Sequence, residues 1–230
     1  MASNINIGIV IPWRSKPDRL KGFHAVVKWY EDNLPEAKII LSDAKGNPFS
    51  LSGSRNDGVA KAEELGMDVV IINDADTFPE KDALMEAIFD CLNDGLVHLP
   101  YNKYKSLQID GSKQFFRGLP LNQCEYFEIP GACSGVYVCT PRTWWSHYGQ
   151  DERFRGWGFE DAAWWSAHKT ILGEEPIRHE GSVYALTHKS EVKEGPQYEI
   201  NAALCYKYLQ AESDIEVMKS LASEGLRDRS

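Results

Sequence analysis

The chain has 230 residues, 43% of them hydrophobic and 26% charged, and carries a net charge of −9. That suffices for one α/β domain with a full core, and the acidic balance weighs against a protein that grips nucleic acid through a broad basic surface. Apolar runs reach only strand length, which excludes a membrane-spanning helix. The start MASNINIGIVIPWR lacks a secretion-signal pattern, and five scattered cysteines form no CxxC pair, so a cytoplasmic protein without zinc or disulfide framework is expected.

In chain order, residues 5–11 form a short apolar strand stopped by Pro12. Residues 20–33 have helical spacing, with Phe23, Val26, Val27 and Tyr30 on one stripe. A second strand covers 38–41, ending at Ser42-Asp43, and a helix covers 52–65, stopped by Gly66. Residues 67–72 read as a strand buried on both faces, since five of the six are apolar and four of those are β-branched. A helix over 81–93 completes a β-α-β-α-β-α alternation, which predicts a doubly wound, mostly parallel sheet. Beyond it, residues 97–100 read as a strand, and 101–128 as a polar, aromatic loop over the site. Strands follow at 136–140 and 183–187, with helices over 142–148 and 160–171. The tail over 198–226 is helical. The expected division is one domain over 1–200 and a helical extension over 201–230 packed upon it.

The third strand ends in Asn73-Asp74-Ala75-Asp76. Side chains two apart on an extended chain point the same way, and two such carboxylates repel unless a cation joins them. Oxygen donors suit Mg²⁺ or Mn²⁺, which also grip phosphates, and ligands of open α/β sheets bind past the carboxyl ends of strands. The plain alternative is a solvated turn. At the same sheet edge, Arg14 and Arg19 follow the first strand, Asp43 follows the second, and Arg55 lies early in the next helix, where capping does not account for it. Farther on, Arg155-Gly156-Trp157-Gly158-Phe159-Glu160-Asp161 combines two glycines, a flat indole for a sugar ring, and two acids at a helix start, where the dipole favours the ionised form. A carboxylate there is a candidate general base. Helix-end charges beside a buried Trp are the plain alternative.

The ordered set Ile-Pro-Trp-Arg, Ser54-Arg55-Asn56-x-Gly58, Asp74-Ala75-Asp76, Gly131-x-x-Ser134-Gly135-Val136, Gly156-Trp157-Gly158-Phe159-Glu160-Asp161 and a downstream His resembles the GT-A glycosyltransferases. It is most similar to family 2 and to the β-1,4-galactosyltransferase-like branch, over residues 7–188. The resemblance implies a metal-dependent, inverting transferase that uses a nucleotide-diphosphate sugar, a UDP-sugar above all. Pro12, Arg14 and Asp43 would line the nucleotide pocket with Arg55 beside it. Asp76 would ligate Mn²⁺ or Mg²⁺, and Asp74 would face the ribose or the metal shell. Trp157 and Gly158 would bed the sugars, Glu160 would bind donor or acceptor, and Asp161 would take the acceptor proton. His188 would complete the metal site, with His179 as the fallback.

Three departures stand out. Ala185 replaces a Met three residues before the His, Ala162-Ala163-Trp164 replace a continued acidic run, and a transmembrane stem is absent. The last of these points to a bacterial or phage-like cytosolic enzyme. A nucleotidyltransferase would show a Gly-rich phosphate loop where Trp13-Arg14-Ser15-Lys16-Pro17 stands, and a silent binding module has no need of the acidic set. The acceptor stays open among a glycan, a protein and a hydroxymethylated base in DNA. For DNA, Lys103, Lys105, Lys113, Arg117, Arg153 and Arg155 lie among aromatics in two loops.

Overall fold

The computed structural model describes residues 5–188 and 193–227. Its elements alternate as expected at first: β1 (Ile7–Pro12), α1 (Leu20–Asn33), β2 (Lys38–Ser42), α2 (Leu51–Glu64), β3 (Val69–Asn73), then a short β4 (Thr77–Pro79) and α3 (Lys81–Asp94). The chain continues through β5 (His98–Leu99), β6 (Lys103–Ser106), α4 (Gln108–Phe116), β7 (Phe127–Ile129), β8 (Val136–Cys139) and α5 (Pro141–Ser146). It closes with α6 (Glu160–Leu172), β9 (Ile177–Arg178), β10 (Ser182–Ala185), α7 (Pro196–Gln210) and α8 (Ile215–Glu224).

A six-stranded sheet runs β2-β1-β3-β8-β5-β9. β1 pairs in parallel with both β2 and β3, but β8 is antiparallel to β3 and to β5, so the mostly parallel sheet carries one reversed strand at its centre. Period-two alternation sorts the core. Ile9, Ile11, Ile71 and Val138 face α1 and α3, whereas Val10, Val70, Ile72, Tyr137 and Cys139 face α2, Trp144 of α5 and Trp164 of α6. Val69, Val70, Ile71 and Ile72 are all fully buried. Each such side chain contributes about 1.5–3 kcal/mol on leaving water. Gly58 lets α2 approach β1, since a Cβ there would come within 2.2 Å of Val10 Cγ1.

The stretch 101–128 is not the expected loop. It contains β6, α4 and β7, and β4-β10-β6-β7 form a second, four-stranded sheet. Its strands β6 and β7 are polar or solvent-facing, so no apolar run marks them. The tail breaks into α7 and α8, which pack through Leu204, Tyr208 and Met218 on Ala163 and Ala167 of α6. The division expected at residue 200 falls inside α7.

Candidate active site

Asn73 shapes the turn that β3 delivers. Its Nδ2 donates to the carbonyls of Asp74 at 2.7 Å and Thr77 at 3.0 Å, and its Oδ1 accepts from Tyr30 Oη at 2.8 Å. The Asp74 N–H and Thr77 Oγ1 both donate to the Gly135 carbonyl, at 2.8 and 3.0 Å. Gly135 has φ +95°, and a Cβ there would lie 3.1 Å from the Tyr104 ring, so the position takes glycine.

The second sheet then brings Asp76 and His188 together. β10 runs antiparallel to β4 with Ala185 opposite Thr77, and the Leu186 N–H donates to the Asp76 carbonyl at 2.9 Å. Asp76 Oδ2 consequently lies 3.1 Å from His188 Nε2. Cis ligands about 2.1 Å from one ion sit about 3 Å apart, so this carboxylate and imidazole fit a shared divalent cation. Arg19 Nη2 approaches the pair, 2.5 Å from His188 Nε2 and 3.6 Å from Asp76 Oδ2. His179, the fallback ligand, is elsewhere: its Nε2 hydrogen-bonds His98 Nδ1 at 2.9 Å.

Of the site residues expected from the sequence, Pro12, Arg14, Asp74, Asp76, Trp157, Gly158, Glu160, Asp161 and His188 line one cavity of about 780 Å³, large enough for a nucleotide sugar, whereas Asp43, Arg55 and His179 do not. Pro12 and Arg14 at the end of β1, Asp74 and Asp76 from the turn after β3, and Trp157, Gly158, Glu160 and Asp161 around the start of α6 meet in it. Asp43 reaches the site through Arg14, whose Nε and Nη2 donate to its carboxylate at 2.6–3.1 Å. Arg14 Nη1 also donates to the Gly46 carbonyl at 2.8 Å, and its guanidinium lies over the Phe49 ring.

Arg55 stands behind the cavity lining rather than in it. It is fully buried. Its Nη2 donates to Asp74 Oδ1 at 2.7 Å, and its Nη1 to Asp161 Oδ1 at 2.6 Å and Gln150 Oε1 at 3.1 Å. Asp74, expected at the metal or ribose, therefore spends one oxygen on Arg55. Tyr137 Oη adds a second donor to Asp161 Oδ1 at 2.6 Å. Neither Tyr137 nor Gln150 was visible in the sequence: their partner lies on another element, and strand alternation fixes only the face of Tyr137.

The two acids of α6 differ. Burial, then the charge of Asp161, raises the Glu160 carboxyl well above its ordinary value, against the opposing charge of Arg55. The helix start was expected to favour ionised Glu160, but a helix dipole contributes only about 0.3–1 kcal/mol, and desolvation outweighs it. Burial likewise raises Asp74, with Arg55 opposing. Phe159, the residue before Glu160, holds φ +76°, a conformation costing about 1–3 kcal/mol that concentrates at functional sites. Trp157 stacks on Tyr198 with rings 11° apart, and Lys193 Nζ lies 4.1 Å from its centroid, so the expected sugar bed is partly covered by the chain itself. Ala185, at the position of the departed Met, lines the cavity.

No protein-family model matches the chain, and no curated protein matches it in sequence. Solved structures do match. The catalytic domain of Drosophila β1,4-galactosyltransferase 7, in complex with xylobiose, superposes with a TM-score of 0.57 at 13% identity, over 86% of this chain and 79% of that one. A mutant of the same enzyme, in complex with manganese, UDP-Gal and xylobiose, gives 0.53 at 13% identity, over 85% and 73%. GalNAc-T7 with UDP, GalNAc and Mn²⁺ gives 0.57 at 10% identity, over 98% of this chain and 55% of that one. The fold of this chain is that of the GT-A glycosyltransferases.

Proposed function

We propose that the protein is a metal-dependent, inverting glycosyltransferase that moves a sugar from a UDP-sugar to an acceptor hydroxyl. The observation that carries this reading is one cavity lined both by an Asp76–His188 pair and by Asp161, which Arg55 and Tyr137 hold. Arg14, braced by Asp43 and stacked over Phe49, forms the nucleotide wall. Asp76 and His188 hold Mn²⁺ or Mg²⁺, which when bound offsets the charge that grows on the departing diphosphate. Arg19, whose Nη2 now lies on the His188 Nε2 lone pair, would release it to the ion and remain as a cation beside the diphosphate. Asp161, as a carboxylate, accepts the proton of the acceptor hydroxyl while that oxygen attacks the anomeric carbon from the face opposite the diphosphate. Glu160 lines the same cavity next to Asp161 and contacts the donor or acceptor sugar. Arg55 touches neither sugar nor nucleotide and positions Asp161 against Asp74.

The acceptor is a glycan or a similar compact molecule. Of the basic residues proposed for DNA, Arg153 is engaged with Asp151 at 2.7 Å, and Lys105 lies over the rings of Tyr126 and Tyr184. Mass spectrometry of products from a panel of UDP-sugars and acceptors, DNA included, with and without Mn²⁺, tests the reading. Neither transfer nor donor hydrolysis in any metal would contradict it.

A further inference from the structure

A second cluster of ligand-type side chains lies away from the cavity. Among the described residues, Asp90 of α3, His98 of β5 and His179 after β9 bring one donor atom each to within 4.8 Å of the others. The backbone dictates this meeting. β5 and β9 are parallel with His98 opposite Ile177, so His179, two residues on, shares its face, and the His179 N–H donates to the Leu99 carbonyl at 3.0 Å. His98 stands opposite Val138, on the sheet face turned away from Tyr137 and hence from Asp161.

The two imidazoles face each other, with His98 Nδ1 2.9 Å from His179 Nε2, and both rings are at least nine-tenths buried. Two nitrogens bound tetrahedrally at about 2.0–2.1 Å would lie about 3.3 Å apart, a few tenths of an ångström from the observed spacing. Each ring also turns its other nitrogen to a carboxylate. His98 Nε2 is 3.1 Å from Asp94 Oδ1, and His179 Nδ1 is 3.9 Å from Glu86 Oε2. Glu86, Asp90 and Asp94 recur every fourth residue and so share one face of α3. A metal-bound His characteristically donates its free N–H to a carboxylate, which fixes the tautomer.

We propose that His98 Nδ1, His179 Nε2 and the Asp90 carboxylate bind a Zn²⁺-class ion, with water in the fourth position and Asp94 and Glu86 accepting from the outer ring nitrogens. The proton now shared between the rings moves to His179 Nδ1, facing Glu86, as the ion takes its place. The ion ties α3 to the edge strand β9. This site is independent of the transferase reading, because none of its residues lines the cavity.

The test is zinc content and melting temperature after EDTA stripping, Zn²⁺ loading and gel filtration, with affinity from competition against a chromophoric chelator. Wild type and His188→Ala should each retain one equivalent and melt higher with Zn²⁺. Asp90→Ala, at a solvent-accessible position with little bearing on folding, and His179→Gln should bind about 100-fold more weakly or worse. Asp94→Asn should bind about 10–100-fold more weakly, the range for lost outer-shell partners. Wild type that retains no zinc overturns the proposal. So does Asp90→Ala with wild-type affinity, or loss of the equivalent in His188→Ala, which would move the zinc to the cavity.

Discussion

Arg55 Nη1 donates to Asp161 Oδ1 at 2.6 Å, across 106 residues of sequence, while its Nη2 holds Asp74. One buried cation thus sets the distance between the turn that follows β3 and the acid that opens α6. Removing it leaves two carboxylates facing each other with nothing between them.

Arg55→Gln is accordingly expected to destabilise the protein by about 3–5 kcal/mol, the usual cost of breaking a buried charge cluster from one side. It should lower kcat while leaving UDP affinity within a few fold, because Arg55 lies behind the pocket. Urea denaturation and calorimetric titration with UDP check the two halves. A large loss of UDP affinity in a folded variant would put Arg55 back at the nucleotide.

The metal pair gives a graded expectation. Asp76→Ala should abolish Mn²⁺-dependent transfer with the fold retained. His188→Ala should raise the Mn²⁺ concentration needed for half-maximal rate, since water can replace one ligand. His179→Ala should leave that requirement unchanged, its ring being turned to His98. Mn²⁺ titrations of initial rate separate the three variants, and a larger shift in His179→Ala than in His188→Ala would refute the Asp76–His188 assignment.

Acid should unfold the protein through a different pair. His147 is fully buried, accepts from Trp164 Nε1 at 2.8 Å and donates from Nδ1 to the Thr143 carbonyl, so it is held neutral. Burial lowers it to about 3, and burial lowers the neighbouring His168 to about 4. An unfolded imidazole titrates near 6.5, so the unfolded chain binds more protons below that pH. The stability these residues contribute is complete above about pH 6.5 and is lost progressively toward pH 3–4, at up to about 1.4 kcal/mol per pH unit per group. Melting temperatures across pH 4–8 should fall on the acid side, and His147→Gln should flatten that limb.

The sequence made legible what rests on strong local pattern. α1 spans 20–33 as its apolar stripe predicts, and the β-branched run 67–72 is the buried β3, one residue short of Asp74. Asp76 and His188 drew notice because each follows an apolar strand, but their meeting was not legible, since it depends on β10 pairing with β4 in a second sheet. The reversed direction of β8 was not, because burial on two faces is the same for a parallel and an antiparallel strand. β6 and β7 were missed because strands open to solvent on a small second sheet need no apolar run. Arg55 was noticed for its type but not for its partners, since an ion pair leaves no mark on either segment alone.

The central claim is that Asp161 takes the acceptor proton in an inverting transfer. Asp161→Asn is nearly isosteric, and it measures that claim directly through transfer rate together with the anomeric configuration of the product. General-base catalysis contributes roughly 10²–10⁴-fold, so transfer should fall by about that factor while UDP and Mn²⁺ still bind. Proton coupling constants of the wild-type product should report an inverted anomeric centre. A retained configuration, or an Asn variant with nearly full activity, would contradict the account and leave Asp161 as the counter-charge of Arg55.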